Sequence, residues 1–202
     1  LLDRGRDKLF QAWPPERHRL QALAARNVAF IESVLEVTDK HVFVDTSKSS
    51  NRLRLIALQR FSTFDVRAIH LVRDVRGVVA SQARRRKLDV RQAARRWVKW
   101  HCKLEGNLKY LPAEKQLRIR YEDLCQDVPG TLAQLFRFCG VEPPVELPDF
   151  RITPHHIVGN PMRLKSVSEI RLDERWKQVF SYEQLKQINQ VAGPLREQYG
   201  YR

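Results

Sequence analysis

The sequence has no long apolar run, no tandem repeat and no linker rich in glycine and serine. A membrane-spanning helix needs about 20 consecutive apolar residues, so the sequence predicts no transmembrane segment. Without linkers or repeats, we predict a single domain over residues 1–202. Hydrophobic residues make up 43% and charged residues 30% of the chain, and this balance excludes wholesale disorder.

Cysteine is also scarce. The three cysteines, Cys102, Cys125 and Cys139, are widely spaced and form no CxxC pair. Neither a disulfide framework nor a zinc site is therefore indicated, and free thiols in a reducing compartment are expected. We accordingly predict a cytoplasmic location. His155 and His156 are adjacent, so in extended chain they point in opposite directions. No metal site is predicted.

Acidic residues are outnumbered by basic ones. The chain has 37 Lys+Arg against 23 Asp+Glu, a formal net charge of +14. Such a surplus indicates an anionic partner, which could be nucleic acid, a membrane surface or a phosphorylated small molecule.

Much of the positive charge falls in residues 84–103, which hold nine cations and one acid. Four of the cations repeat every four residues and so form one stripe on a helix: Arg91, Arg95, Lys99 and Lys103. The stripe could be a solvated helix face, a site for an anionic acceptor or a nucleic-acid contact. Trp97 and Trp100 lie among the cations, as base stacking would require. Their spacing fits burial in a helix equally well.

The periodicity of apolar residues predicts an α/β domain. Three short β-rich runs alternate with segments of helix length, which favours a mainly parallel sheet flanked by helices. The predicted strands are His41–Asp45, residues 66–72 and residues 116–121. Helices are predicted at about 14–37, 48–61, 76–86, 90–110, 130–138 and 182–199.

The most informative segment follows the second of these strands. Arg73 lies at the carboxyl end of the strand, where ligands of open α/β sheets bind, and its planar fork suits a phosphate. Ser81 lies about two turns into the next helix, where its hydroxyl can meet the same oxyanion. A local ion pair between Arg73 and Asp74, with Ser81 on the surface, is the alternative.

The pattern Arg-Asp-x-Arg-Gly-x-x-x-Ser resembles the 3′-phosphate-binding motif of the sulfotransferases that use 3′-phosphoadenosine 5′-phosphosulfate (PAPS). Val75 departs from that pattern, since many members have proline there. The resemblance implies a P-loop-NTPase-like sulfotransferase fold. It also implies that Arg73 and Ser81 hold the 3′-phosphate of the nucleotide.

Three further segments resemble the same family in the same order. The element Tyr121-Glu122-Asp123 implies that Tyr121 contacts the adenine. The segment from Gly159 to Arg163 resembles a loop that closes over the nucleotide, with Arg163 and Lys165 as further phosphate ligands. Asp45-Thr46-Ser47-Lys48 resembles an element of bacterial members.

The resemblance implies transfer of a sulfuryl group from PAPS to a hydroxyl or amine of an acceptor, without a metal. Asp45 is the candidate base and Lys48 the candidate stabiliser of the leaving oxygen. The acceptor's class stays open, anionic molecules included, as does the oligomeric state. A basic nucleic-acid-binding module built on residues 84–103 is the alternative function.

The family's Gly-rich phosphate loop is not found, because only Gly5 precedes residue 77. We expect that loop and its strand to lie upstream of Leu1. This chain alone is then expected to be inactive, although its parent protein is an enzyme.

Overall fold

The computed structural model describes residues 14–57, 64–86, 88–146 and 170–202. Its elements, in chain order, are α1 (Pro14–Thr38), α2 (Ser50–Ala57), β1 (Ala68–Val72), α3 (Val75–Arg86), α4 (Val90–Leu108), a 3₁₀ turn (Ala113–Lys115), β2 (Gln116–Arg120), α5 (Tyr121–Gln126), α6 (Val128–Cys139), α7 (Trp176–Val179) and α8 (Tyr182–Gln198).

Strands β1 and β2 lie side by side in a small parallel sheet. This confirms the α/β class and two of the three predicted strands. The helices predicted at 76–86, at 90–110 and near the C-terminus are confirmed within two residues at each end. No helix in the described ranges is long and apolar enough to cross a bilayer.

The strand predicted at His41–Asp45 is wrong, since no strand forms anywhere in residues 14–57. Val42 is 41% exposed and Val44 is 70% exposed, so the alternation of apolar residues does not bury one face. The segment is held instead by local contacts. The ring of Phe43 packs edge-on against Phe30, 6.0 Å between centroids.

The chain divides into two compact units. The first holds Leu1–Ala68 and Cys102–Gln116, and its core is built around Ala68, Leu108 and Leu111. The side-chain amide of Gln116 donates to the carbonyls of Leu108 and Leu111, at 3.0 and 2.7 Å. These bonds tie the turn that follows α4 to the first residue of β2.

The second unit holds Ile69–His101 and Leu117–Arg202. Its core joins the end of β1, the first turns of α3 and the buried faces of α4 and α8: Val72, Val75, Val79, Ala93, Ala94, Trp97, Ile188 and Ala192. Helix α8 begins with a capping box between Ser181 and Gln184. This packing fixes the carboxyl end of β1, where the candidate site lies.

Candidate functional site

Strand β1 and helix α3 are joined by a turn of two polar residues. Val72 ends the strand and Val75 begins the helix, and both are fully buried. Only Arg73 and Asp74 lie between them. The two anchored valines therefore hold Arg73 at the carboxyl end of a parallel strand, the usual place for ligands in such sheets.

The guanidinium group of Arg73 lies across Gly77 on the first turn of α3. A Cβ atom added to Gly77 would stand 2.9 Å from Nε and 3.2 Å from Nη2 of Arg73. Real Cβ atoms do not approach other atoms so closely, so a larger residue at this position would move the arginine. The glycine in the Arg-Asp-x-Arg-Gly pattern thus makes room for the arginine that begins the pattern, four residues earlier.

Arg73 is held from two further sides. Its guanidinium carbon lies 4.5 Å from the centroid of the Tyr121 ring. Its Nη2 donates to the backbone carbonyl of Asp173 at 2.8 Å and lies 3.2 Å from the Asp173 carboxylate. Hydrogen bonds from Arg175, and then from Arg73, hold the pKa of Asp173 well below its usual range. The carboxylate is therefore ionised at neutral pH.

Ser81 lies one turn beyond Gly77 on α3. Residues four apart share a face of a helix, with Cβ atoms about 5–6 Å apart. Ser81 thus occupies the face of the helix over which Arg73 lies, and it is half-buried. A hydroxyl and a guanidinium along one helix face can together hold a single oxyanion.

The hydroxyl of Tyr121 ties the first residue of α5 to the segment after residue 170. It donates to the carbonyl of Arg171 at 3.1 Å and accepts from the backbone N–H of Asp173 at 3.2 Å. Burial raises the pKa of Tyr121, so the hydroxyl keeps its proton. The ring itself lies against Arg73.

Asp74 does not pair with Arg73, so the local ion pair considered from the sequence is absent. Asp74 is buried and binds Arg76, whose Nη2 lies 2.5 Å from its Oδ2. The guanidinium of Arg76 also stacks on Trp176, 4.1 Å from the ring centroid. These contacts leave Arg73 unpaired by its own neighbour in sequence.

Two residues of this region escaped the sequence analysis as functional candidates. The single hydroxyl proton of Tyr201 is shared between two acceptors, Glu122 Oε2 at 2.6 Å and the carbonyl oxygen of Val72 at 3.2 Å. Both Tyr201 and Glu122 line a cavity of about 380 Å³ beside Asp74 and Arg76. No local pattern signals this pair, because the two residues lie 79 positions apart in the chain.

Asp45 and Lys48 lie in the first unit. The Asp45 carboxylate accepts from the backbone N–H of Ser47 at 2.7 Å and pairs with Arg52 at 2.9 Å. Burial opposes ionisation, but the Ser47 hydrogen bonds and the Arg52 charge together hold the pKa of Asp45 below its usual value. This weakens Asp45 as a base. Lys48 adopts a left-handed backbone with φ of 59°, a strained conformation for a residue with a side chain.

Arg163 and Lys165, the further phosphate ligands predicted from the sequence, lie outside the described residues. His155 and His156 do as well. Within the described ranges, no three His, Cys, Asp or Glu side chains come together in a way that could hold a metal ion.

Helix α4, which carries the stripe of Arg91, Arg95, Lys99 and Lys103, provides only part of the surface that nucleic-acid stacking would need. Trp97 is 4% exposed and packs in the core, whereas Trp100 is 43% exposed. Arg91, Arg95 and Lys99 are exposed on α4. Burial of Trp97 leaves one exposed tryptophan on this helix, so a two-tryptophan stacking platform is not formed.

Comparison with a solved structure identifies the fold. The chain is similar to a sulfotransferase domain from the curacin biosynthetic pathway, with a TM-score of 0.58 and 21% sequence identity. The match covers 87% of this chain and 68% of that one. This likeness gives the chain the P-loop-like fold of sulfotransferases.

Comparison with family models identifies the family. The model described as the sulfotransferase family matches residues 8–145, which is more than half of the chain. The chain therefore belongs to the sulfotransferase family, and it is a transferase. No curated protein matches it significantly.

Proposed function

We propose that this protein transfers a sulfuryl group from PAPS to a hydroxyl or amine of an acceptor. Family membership supports sulfuryl transfer as the reaction class. We further propose that PAPS is the donor and that particular residues of this chain bind it. With the cysteines of the described ranges free, we also propose a cytoplasmic location.

One observation carries the proposal: the Arg73 guanidinium fills the space over Gly77 that a Cβ would need, on the helix face that carries Ser81 one turn further on. A guanidinium fork and a hydroxyl along one helix face can bind the oxygens of a single phosphate. Tyr121, in contact with Arg73 at 4.5 Å, offers an aromatic surface next to that phosphate. The residues present thus fit a 3′-phosphorylated adenine nucleotide.

When bound, PAPS supplies an activated sulfuryl group, whose transfer leaves 3′,5′-bisphosphoadenosine. In this proposal Arg73 and Ser81 bind the 3′-phosphate, Tyr121 orients the adenine, and Arg163 and Lys165 add charge from the segment outside the described residues. Such residues act by positioning, which can contribute a large share of the rate.

For the transfer itself, the candidate base is Asp45 and the candidate stabiliser of the leaving oxygen is Lys48. A base must remove the acceptor proton, and a cation must offset the charge that gathers on the leaving oxygen. Asp45 is ionised, as a base must be, but its ion pair with Arg52 at 2.9 Å competes with the proton. Release from Arg52 would therefore be part of any catalytic role.

The test is calorimetry of 3′,5′-bisphosphoadenosine binding to the intact protein and to Arg73→Ala. Loss of a charge-assisted bond to a partly buried phosphate is expected to cost about 1.5–3 kcal/mol. Arg95→Ala is the matched control, because it removes an exposed arginine from the α4 stripe. Weaker binding in Arg73→Ala alone supports the site. Unchanged binding in that variant overturns it, and weaker binding in the control would favour the α4 stripe.

A further inference from the structure

We propose that Tyr201 and Glu122 are positioning residues for Arg73, acting as a clamp on the backbone on both of its sides. The inference rests on the proposed function, in which Arg73 binds the 3′-phosphate. It adds two residues for which the sequence motif gives no role in phosphate binding.

The clamp consists of one hydroxyl proton shared between two acceptors and one backbone hydrogen bond. The first acceptor of the Tyr201 hydroxyl is the carbonyl of Val72, 3.2 Å away in the peptide group that precedes Arg73. The second and closer acceptor is Oε2 of Glu122, at 2.6 Å. The backbone N–H of Asp74, in the peptide group that follows Arg73, donates to Oε1 of Glu122 at 3.1 Å, so Glu122 joins the two sides. Both backbone dihedrals of Arg73 are thereby restrained.

Neighbouring residues keep the Tyr201 hydroxyl protonated and hold the side chains of the clamp in place. Tyr201 is 4% exposed, and burial together with the Glu122 hydrogen bond raises its pKa, so the hydroxyl stays a donor. Arg120 covers the ring, with its guanidinium carbon 4.5 Å from the centroid. Glu122 uses one carboxylate oxygen for each partner. The clamp is thus a small buried network whose members are mutually oriented.

This network acts on Arg73 without touching its side chain. The guanidinium is at the far end of a long side chain, so a small backbone rotation moves it further than it moves the turn. Hydrogen bonds weaken steeply as their geometry departs from linear. Loosening the clamp should therefore weaken phosphate binding more than it weakens the fold or the adenine contact.

The test compares two probes, 3′,5′-bisphosphoadenosine and adenosine 5′-phosphate, which lacks the 3′-phosphate. In Tyr201→Phe the ring stays and the hydroxyl is lost. Calorimetry is expected to show bisphosphoadenosine binding weakened about five- to twentyfold, the loss of one to two hydrogen bonds. Binding of adenosine 5′-phosphate is expected to change less than about twofold, because this nucleotide has no 3′-phosphate for Arg73 to bind.

Two further variants guard against a simple folding defect. Glu122→Gln keeps an acceptor for the Asp74 N–H and a polar partner for Tyr201, so it is expected to retain affinity within about threefold. Glu122→Ala removes both contacts and is expected to resemble Tyr201→Phe. Tyr182→Phe and Glu142→Gln, at exposed positions, are the matched controls and should leave both affinities unchanged.

A double-mutant cycle with Arg73→Ala separates positioning from general stabilisation. If Tyr201 acts through Arg73, Tyr201→Phe adds no further loss in the Arg73→Ala background. Equal losses in both backgrounds, equal losses for both nucleotides, or no loss in Tyr201→Phe would each overturn the inference while the proposed site stands. Unchanged bisphosphoadenosine binding in Arg73→Ala would overturn the proposed function itself, and the inference with it.

Discussion

Gly77 stands in the first turn of α3, where a helix would be more stable with alanine by about 1 kcal/mol. The Arg73 guanidinium occupies the space that an alanine methyl would need. We therefore predict that Gly77→Ala weakens nucleotide binding without lowering the stability of the fold. The variant should unfold at the same temperature or a higher one, while bisphosphoadenosine binding weakens about tenfold. Thermal unfolding and calorimetry on the same sample measure both quantities.

The matched control for this prediction is Gly106→Ala. Gly106 is also a helical glycine, on α4, but a Cβ added there would meet no atom within 4 Å. It should raise stability by a similar amount and leave nucleotide binding unchanged. If Gly77→Ala bound bisphosphoadenosine as tightly as the control, phosphate binding by Arg73 would not depend on the absence of a side chain at residue 77.

At the residue scale, the sequence predicted the candidates that are close in the chain. Arg73 was identified from its place at the end of a predicted strand, and Ser81 from its place about two turns into the next predicted helix. Gly77 could have been singled out, since a glycine inside a predicted helix needs a reason. Asp173 and Tyr201 could not, because their contacts with Arg73 and Val72 join residues 100 and 129 positions apart. Only tertiary packing brings such residues together.

At the scale of elements, β1 and α4 are joined by a buried pair of histidines. His70 on β1 and His101 on α4 are 3% and 4% exposed, and Nε2 of His70 lies 2.8 Å from Nδ1 of His101. The ring of Trp97 packs against that of His101 with the planes tilted by 58° and the centroids 4.4 Å apart, and the Tyr199 ring lies 5.2 Å from His101. A hydrogen bond between these two nitrogens requires that one of them carries a hydrogen and the other does not, so the pair cannot hold with both atoms protonated.

This pair makes the stability of the fold depend on pH. Burial, together with the Arg118 charge, lowers the pKa of His70 to about 4. Burial, with His70 and Arg118, lowers the pKa of His101 to about 3. An unfolded chain would bind protons here below about pH 6.5, so acid favours unfolding. The free energy of unfolding should have its full value above pH 6.5 and fall as the pH drops towards 4. The expected loss at pH 5 is about 1–2 kcal/mol per imidazole.

Urea unfolding at pH 7.5 and pH 5.0 measures this effect. His101→Gln removes one titrating group, so the loss between the two pH values should shrink by about half, even if the variant is less stable overall. His41→Gln, at an exposed position, should keep the loss of the unchanged protein. An undiminished loss in His101→Gln would show that other groups carry the pH dependence.

Elements with long-range burial were predicted well, and one without it was not. The alternation in β1 buries Ala68, His70 and Val72, and the apolar stripe of α4 buries Val90, Ala94 and Trp97. The run His41–Asp45 has the same β-branched composition but no partner strand in the described part of the chain. Strand formation depends on pairing, which composition alone does not reveal.

On the scale of the whole molecule, the positive charge has two distinct settings. On α4, Arg91, Arg95 and Lys99 are exposed, where each contributes to the field that attracts anions. Arg73 is only 24% exposed in its side chain and is held by Tyr121 and Asp173. The net charge of +14 predicted an anionic partner, but not which of these settings binds it. The exposed set suits attraction at a distance, and the held arginine suits recognition of one phosphate.

A crystal structure of the intact protein with 3′,5′-bisphosphoadenosine would show directly which residues bind the nucleotide. We predict that the 3′-phosphate lies within about 3 Å of the Arg73 guanidinium and of the Ser81 hydroxyl, the distance of a charge-assisted hydrogen bond, with the adenine beside Tyr121. A nucleotide bound on the exposed cations of α4, with Arg73 still paired only with Asp173, would contradict this prediction.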